Sequence, residues 1–406
     1  MACYGFFCAD CGTMSKDKLI QRLRDAVRLR IQIPESDKYY LMRQTFAQVD
    51  LDAYRRNIRS VRNIIGPDVK LMAVVKANAY GHGLVQIAKA AQDAGVDYLD
   101  VSLVEEGIVL RQAGIHLPIL VLSGLTGSSA EEALKSSLSL TVFTRDQLTE
   151  ASAAAGRLGV QARVHFKLDT GMNRIGMKSQ DELRSLMSAM KSLPGICLEG
   201  AYTHFACADS PDTDMTDRQL ARFLEMAELL PDGILLHASG SSAALNRPDA
   251  RLSMVRVGIA LYGYSPVPTA VPLQPVLSWV AEITHVKEVS PGETISYGAT
   301  VTANRHMRVA TLALGYGDGY SRLLSNRAQV LINGKRCKVL GRICMDQTMV
   351  DVTDAGPVAV GGRATIIGRD GGESISAQEL ANLSGTIPYE TLIAISPRVP
   401  RVYLYS

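Results

Sequence analysis

Several side chains stand at the ends of short apolar runs, and each suits a different part of one reaction. Val74-Val75 leads directly into Lys76, within Lys76-Ala77-Asn78-Ala79-Tyr80-Gly81-His82-Gly83. A lysine partly withdrawn from water has a lowered pKa, and its neutral amine can form a Schiff base with an aldehyde. By position alone it also reads as a surface lysine in a salt bridge. A later run ends in Lys167-Leu168-Asp169-Thr170-Gly171-Met172-Asn173-Arg174, where Arg174 can grip a carboxylate with two parallel hydrogen bonds. Another ends in Thr203-His204-Phe205, whose imidazole can stack on a flat ring or act only as a structural histidine. Ala238-Ser239-Gly240-Ser241-Ser242 and Arg256-Val257-Gly258-Ile259 supply small residues and free backbone N–H groups, which suit a phosphate. An amine, an arginine, an imidazole and a phosphate cradle together fit a phosphorylated aldehyde cofactor acting on a carboxylate-bearing substrate.

Such groups converge only if the runs carrying them lie side by side. Apolar, β-rich runs recur near 69–75, 97–101, 119–122, 140–143, 162–168, 197–203, 234–238 and 254–261. Helical spacing falls between most of them, at 84–95, 104–113, 129–136, 145–158, 179–191 and 215–229. Strands and helices alternating in this way predict an α/β chain with a TIM (β/α)8 barrel, whose reactive groups gather at the strand C-termini. The alternative is an open doubly wound sheet, but no GxGxxG follows the first strand. After about residue 276 the pattern turns mostly β, with runs at 280–289, 308–314, 328–332, 338–340, 349–352 and 364–367. Asn333-Gly334 marks a tight hairpin. One helix is predicted, opened by the capping box Ser376-Ala377-Gln378-Glu379 and closed near Gly385. The expected division is an extension over 1–43, a barrel over 44–276 and a C-terminal β domain over 277–406.

Composition limits what else the chain can be. Its 406 residues carry a net charge of +3, so nucleic acid and acidic lipid are not expected partners. No apolar run is long enough for a membrane span, and the apolar start lacks the basic region of a secretory signal. Seven cysteines do not form a disulfide scaffold. Cys197, Cys207, Cys337 and Cys344 read as reduced thiols, and a cytoplasmic location is expected. Residues 15–31 read as a basic amphipathic helix, packed on the surface or touching a membrane or partner. Cys8 and Cys11 form one CxxC, a weak zinc signal without a second pair, and no metal is expected.

Over residues 44–402 the sequence resembles the alanine racemases, which are fold-type III pyridoxal-phosphate enzymes. The motifs are AVVKANAYGHG at 73–83, KLDTGMNRIG at 167–176, YTHFACAD at 202–209 and VRVGIALYG at 255–263. They continue with ISYGAT at 295–300, LGYGDGY at 314–320, GRICMDQ at 341–347 and RVPR at 398–401. Their order across two domains is the specific signal. The resemblance implies pyridoxal 5'-phosphate held by Lys76 as a Schiff base, racemisation of alanine, and a head-to-tail homodimer with shared sites. It implies D-alanine made for cell-wall precursors. Lys76 and Tyr297 match opposite-face bases, Tyr297 coming from the partner. Tyr80, Ser241, Gly258, Ile259 and Tyr389 match phosphate ligands. Arg256 matches the residue facing the pyridine nitrogen, and His204 the one behind the ring. Arg174 and the backbone at Met345 match carboxylate contacts. Lys167 matches a position often carbamylated, which holds Arg174, and Tyr316 an entrance residue of the partner. One position departs: the family usually has asparagine where Gly240 stands.

Racemisation needs a proton removed from one face and returned on the other, which two opposed bases provide. A tyrosine with a pKa of about 10 needs positive charge nearby to act at neutral pH, and Arg256 through His204 is a source. An arginine facing the ring nitrogen keeps that nitrogen unprotonated, so the carbanion is short-lived. Other readings are a non-catalytic cofactor carrier, a decarboxylase or aldolase, a metal-dependent hydrolase, and a racemase of serine or broader range. The β-domain motifs oppose the first, a fixed carboxylate the second, and the lack of a metal cluster the third. The last is the closest alternative.

Overall fold

The computed structural model describes residues 30–32, 42–125 and 129–405. The CxxC and nearly all of the predicted 15–31 helix lie outside the described residues. The exceptions are Arg30 and Ile31, which the prediction places in that helix. They instead form strand β1 (Arg30–Gln32), paired antiparallel with Gln32 opposite Tyr403. An edge strand offers unpaired backbone groups, and that ladder satisfies them here. Contacts divide the chain into two units, one spanning Tyr54–Gln274 and the other joining the described residues before Tyr54 to those from Pro275 onward. Strand β2 (Phe46–Asp50) therefore belongs with the later residues, and it is followed by a helix over Leu51–Ile65.

The first unit is a barrel of eight parallel strands. They are β3 (Lys70–Val74), β4 (Tyr98–Val101), β5 (Ile119–Gly124), β6 (Ser139–Val142), β7 (Ala162–Lys167), β8 (Ile196–Tyr202), β9 (Leu235–His237) and β10 (Met254–Val257). Strand β10 pairs with β3, and the order then follows the sequence to β9. Two backbone bonds cross the remaining seam, Ser253 N to Leu236 O at 3.1 Å and Arg256 N to Ser239 O at 2.9 Å. Near-continuous burial along the strands explains their apolar runs. Met72, Tyr98, Leu120, Tyr202 and Met254 pack as one interior cluster. Helices separate the strands as the spacing predicts. The helix Arg145–Leu158 shows why: Thr144 accepts from Gln147 N at 3.2 Å, Leu148, Ala151 and Ala155 are buried, and Gly159 ends it at φ 64°.

The second unit is mostly β. After β11 (Leu277–Val289) come β12 (Thr294–Ile295), β13 (Val301–Thr302), β14 (Met307–Leu312), β15 (Gln329–Ile332) and β16 (Lys335–Leu340). These are followed by β17 (Thr348–Asp351), β18 (Arg363–Asp370), β19 (Glu373–Ile375) and β20 (Arg401–Tyr405). The pairings β11–β14–β17–β16–β15–β18–β11 close six strands into a ring, which leaves those strands no free edge. Asn333 and Gly334 both take positive φ in the tight β15–β16 hairpin. Ser376 caps the predicted helix by accepting from Glu379 N at 3.0 Å, and Gly385 closes it at φ 73°. A second short helix, Pro388–Ile393, carries Tyr389, where the sequence pattern predicts only one helix. Proline at its first position needs no N–H partner, and six residues are too few for periodicity to show.

Candidate active site

Lys76 follows β3 directly, half-buried at the C-terminal end of the barrel. The chain then does something unusual: Ala77, Asn78, Ala79 and Tyr80 all sit at φ 52–53°. Left-handed backbone is costly for residues with a Cβ, and a run of four persists only when other bonds over-determine it. Ala77 N donates to Glu106 Oε1 at 2.7 Å, Leu84 N to Asn78 Oδ1 at 2.9 Å, and Ala79 N to Val75 O at 2.8 Å. This turn brings Tyr80 back into the barrel, buried against Tyr262 with ring centroids 4.8 Å apart. A Cβ added to Gly258 would lie 2.5 Å from the Tyr80 hydroxyl oxygen. Ser241 Oγ accepts from Gly258 N at 3.0 Å and Ala260 N at 3.4 Å. Tyr80, Ser241 and Gly258 thus meet in one small cradle, beside buried Ile259.

Arg256, on β10, is 4% exposed. Its terminal nitrogens donate to His237 Nδ1 (2.8 Å), His237 O (3.1 Å), Thr203 O (2.8 Å), Ala238 O (3.1 Å) and His204 Nδ1 (3.1 Å). The guanidinium lies over the Tyr202 ring, 5.0 Å from its centroid. Among the described residues all five of these bonds come from its terminal nitrogens and none from its Nε–H, which leaves that donor for a ligand. Because arginine only donates, His237 Nδ1 accepts and its Nε2–H faces His165 Nδ1 at 2.9 Å. His165 Nε2 in turn reaches Glu199 Oε2 at 3.1 Å. Burial would raise the Glu199 carboxyl, but bonds from His165 and Ser139 outweigh it and hold it at about 2. Burial and Arg256 push both His204 and His237 well below the usual imidazole range. A guanidinium and a carboxylate are therefore joined through two imidazole rings.

Lys167 ends β7 and is 3% exposed. Its Nζ donates to Leu168 O at 2.6 Å. Burial, with Arg256 and Arg174 nearby, lowers its amine to about 7 against the opposing pull of Asp169. Arg174 is exposed in the loop that follows. Asp169 shapes that loop by accepting from Gly171 N and Asn173 N, both at 3.0 Å.

The β unit holds the other sequence-predicted residues. Tyr297 is 69% exposed on a turn where Ser296, Gly298 and Ala299 have positive φ. Ser296 Oγ donates to Arg342 O, and a Cβ on Gly341 would strike Ile295 O and Ser296 Cβ, each at 2.6 Å. Tyr316 is tied through its N–H to Cys344 O at 3.0 Å, and Gly317 N donates to Met345 O at 2.8 Å. A Cβ on Gly315 would collide with Cys344 O and Met345 O, so only glycine allows this approach. Tyr389 is half-buried on its short helix. Among the described residues no cluster could hold a metal ion, and no helix is long and apolar enough to cross a membrane.

The sequence reading missed His237, His165, Glu199 and Asp100. The available signal was a charged or ring-nitrogen residue inside an otherwise buried strand run, as in Val164-His165-Phe166, Leu198-Glu199-Gly200 and Leu99-Asp100-Val101.

A family model described as alanine racemase, N-terminal domain, matches residues 49–266, and one described as alanine racemase, C-terminal domain, matches residues 276–403. The chain belongs to the alanine racemase family. An alanine racemase of Symbiobacterium thermophilum is 47% identical over 369 residues, covering 89% of this chain and 97% of the relative. One from Geobacillus stearothermophilus is 44% identical over 368 residues, covering 89% and 94%. The crystal structure of alanine racemase from Bacillus anthracis, solved with bound L-Ala-P, superposes with a TM-score of 0.84 at 39% identity, covering 90% of this chain and 96% of that one. The alanine racemase of Streptomyces coelicolor gives 0.85 at 36%, covering 90% and 99%. Alanine racemases are isomerases, and membership makes this chain an enzyme of that class.

Proposed function

We propose that this chain interconverts L- and D-alanine using pyridoxal 5'-phosphate, in a homodimer whose sites are shared between copies, and that it works in the cytoplasm. One observation carries the reading: Lys76, the Tyr80–Ser241–Gly258 cradle and the open Arg256 Nε–H sit together at the C-terminal end of one barrel. An amine for an aldehyde, a glycine-lined cradle for a phosphate and a cationic donor for a ring nitrogen fit this cofactor. Ile259 and Tyr389 would complete the phosphate contacts, and His204 would lie behind the ring. When bound, the cofactor makes the amino acid's α-proton acidic by spreading negative charge into its ring.

The protein's part is then to place and move protons. Lys76, once free, would take or return the α-proton on one face. Tyr297 of a second copy would do so on the other. Arg174 and the backbone at Met345 would hold the substrate carboxylate, and Tyr316 would narrow the entrance. Arg256 stays protonated because a guanidinium is strongly basic and its terminal nitrogens face acceptors, one of which, His237, links it through His165 to Glu199. It can donate to the ring nitrogen but does not surrender a proton to it. Lys167, lowered to about 7, is neutral often enough to react with carbon dioxide, and the resulting carbamate would hold Arg174.

The test is an absorbance spectrum of purified protein before and after borohydride, followed by peptide mapping and an assay with each enantiomer of alanine. A reducible visible band, a pyridoxyl group on Lys76 and turnover in both directions are expected. A protein without such a band overturns the proposal, and a pyridoxyl group on Lys167 reassigns the lysine.

A further inference from the structure

The barrel end holds a carboxyl that the mechanism above leaves unused. Asp100 lies on β4, fully buried. Both its oxygens are buried and have no hydrogen-bond partner among the described residues. A buried, unpartnered carboxyl is costly and calls for an explanation. Strand register places it: Asp100 is opposite Val74, and Val75 N donates to Asp100 O at 3.0 Å. Asp100 is therefore level with the residues that lead into Lys76. It lies two positions beyond Tyr98, a member of the interior cluster, so its side chain shares that inner face.

The groups that act on it come from every side. Lys76 after β3 and Arg256 on β10 favour its charged form, and Glu106 of the helix Val104–Gln112 opposes it. The phenols of Tyr54, Tyr202 and Tyr262 also sense its charge. Glu106 is committed elsewhere, accepting from Ala77 N, Ser102 N and Leu103 N. Arg256 also feels the Asp100 charge, but Lys76 acts on Asp100 more strongly, and Arg256 is tied by hydrogen bonds through His237 and His165 to Glu199. Lys76 has no ion pair among the described residues, so Asp100 is the carboxyl left to answer it.

We propose that Asp100 is the counter-charge of Lys76: a positioning residue that holds negative charge in the barrel wall and stabilises the protonated nitrogen of Lys76, free or linked to the cofactor. This rests on the reading of Lys76 given above. The two groups need no direct contact, since charges interact strongly across a water-poor interior. Burial raises the Asp100 carboxyl to about 7, with Lys76 and Arg256 pulling it down. Its proton is thus evenly balanced near neutrality, and a positive charge arriving on Lys76 favours the carboxylate. A proton that Lys76 lifts from substrate is kept on the amine until it is returned.

The experiment follows the visible band of the loaded enzyme with pH, which reads the protonation of the Lys76 nitrogen without turnover. Asp100→Asn should move the midpoint down by roughly one pH unit, and Asp100→Glu should restore most of the shift. An Asp100→Asn protein that folds, keeps a borohydride-reducible band on Lys76 and titrates at the wild-type midpoint overturns the counter-charge. Loss of cofactor from wild type itself would instead overturn the underlying reading. If Asp100→Asn does not fold, wild-type protein is titrated by infrared and visible absorbance together. A buried protonated-carboxyl stretch should vanish as pH rises through about 7, in step with the band. A band that shifts with no carboxyl change overturns the proposal.

Discussion

Arg256 and Lys167 of the barrel are 4% and 3% exposed, while Tyr297, Tyr316 and Met345 of the β unit are 69%, 43% and 53% exposed. In the barrel these two side chains are aimed by bonds made inside one chain: Arg256 by two imidazoles and three carbonyls, Lys167 by Leu168 O. In the β unit the backbone is fixed but the side chains are not walled in. Glycines at 315, 317 and 341 set the turns, and the aromatic rings they present face outward. Leaving such rings in water forgoes roughly 1.5–3 kcal/mol each relative to burial. On the proposed reading the barrel would be the receptacle and the β unit the donor. That asymmetry supports a site completed by a second copy.

The largest expected effects test this division. Lys76→Ala should remove the reducible band and abolish racemisation in both directions. Tyr297→Phe should keep the band and slow α-proton exchange much more for one enantiomer than for the other, as general-base removal typically costs about 100- to 10,000-fold. Equal and mild losses would reduce Tyr297 to a wall of the pocket. Mixing the two variants should restore part of the activity through hybrid dimers, each with one intact pair of bases. No recovery despite demonstrated subunit exchange would refute the donor role of the β unit.

A smaller effect probes how the barrel is finished from within. Glu199 is held at about 2, below its ordinary value, so its contribution is present at neutral pH and fades as acid approaches that value. Glu199→Gln should lower unfolding stability by roughly 1–3 kcal/mol at pH 7, with the difference from wild type shrinking as pH falls below about 4. Denaturant melts across pH check this. A constant difference would mean that the amide disturbs packing rather than removing a charge. If the chain through His165 and His237 also supports Arg256, the pH midpoint of the visible band should move in this variant too.

How much of this was legible in the sequence depended on the physical signal each part carries. The barrel strands showed because parallel strands covered on both faces read as apolar runs, and its helices because one face is buried. The Asn333-Gly334 hairpin and the Ser376 cap are local chemistry and stood out for that reason. Strand β2 did not show, because its partners β11 and β20 are more than 200 residues away in sequence and no local pattern records such pairing. Lys76 was visible as a lysine ending a strand, but the left-handed turn after it was not, since Ala77, Ala79 and Tyr80 are not residues that favour positive φ. The strain is maintained by Glu106 and Asn78. His165, Glu199 and Asp100 were hidden inside strands whose overall hydrophobicity invited reading them through. Gly240 was noticed as a departure. A Cβ there would meet His204 Cε1 at 3.4 Å, so the backbone leaves room for a side chain that this chain lacks.

The subtlest expected effect concerns substrate choice and falls to the β unit. Tyr389 stands half-buried on the helix Pro388–Ile393, and the family resemblance directs its hydroxyl to phosphate and its ring towards the substrate side chain. With Tyr297, Tyr316 and Met345 it would wall a space suited to a methyl group. Lysine and arginine should be excluded outright, because their chains need volume that rings and a thioether occupy. Serine adds one oxygen, and a hydrophobic wall discriminates such pairs only by about 1–3 kcal/mol. Alanine should therefore lead and serine follow weakly. Tyr389→Asn removes the ring and offers an amide to the serine hydroxyl, so the serine-to-alanine ratio of kcat/KM should rise by roughly tenfold. The β unit would then set specificity while the barrel performs the cofactor chemistry, and the band should be unchanged in energy. A ratio that stays put with the band intact would take Tyr389 out of the specificity wall. A wild type that prefers serine would keep the barrel's role and assign the β unit to a different side chain.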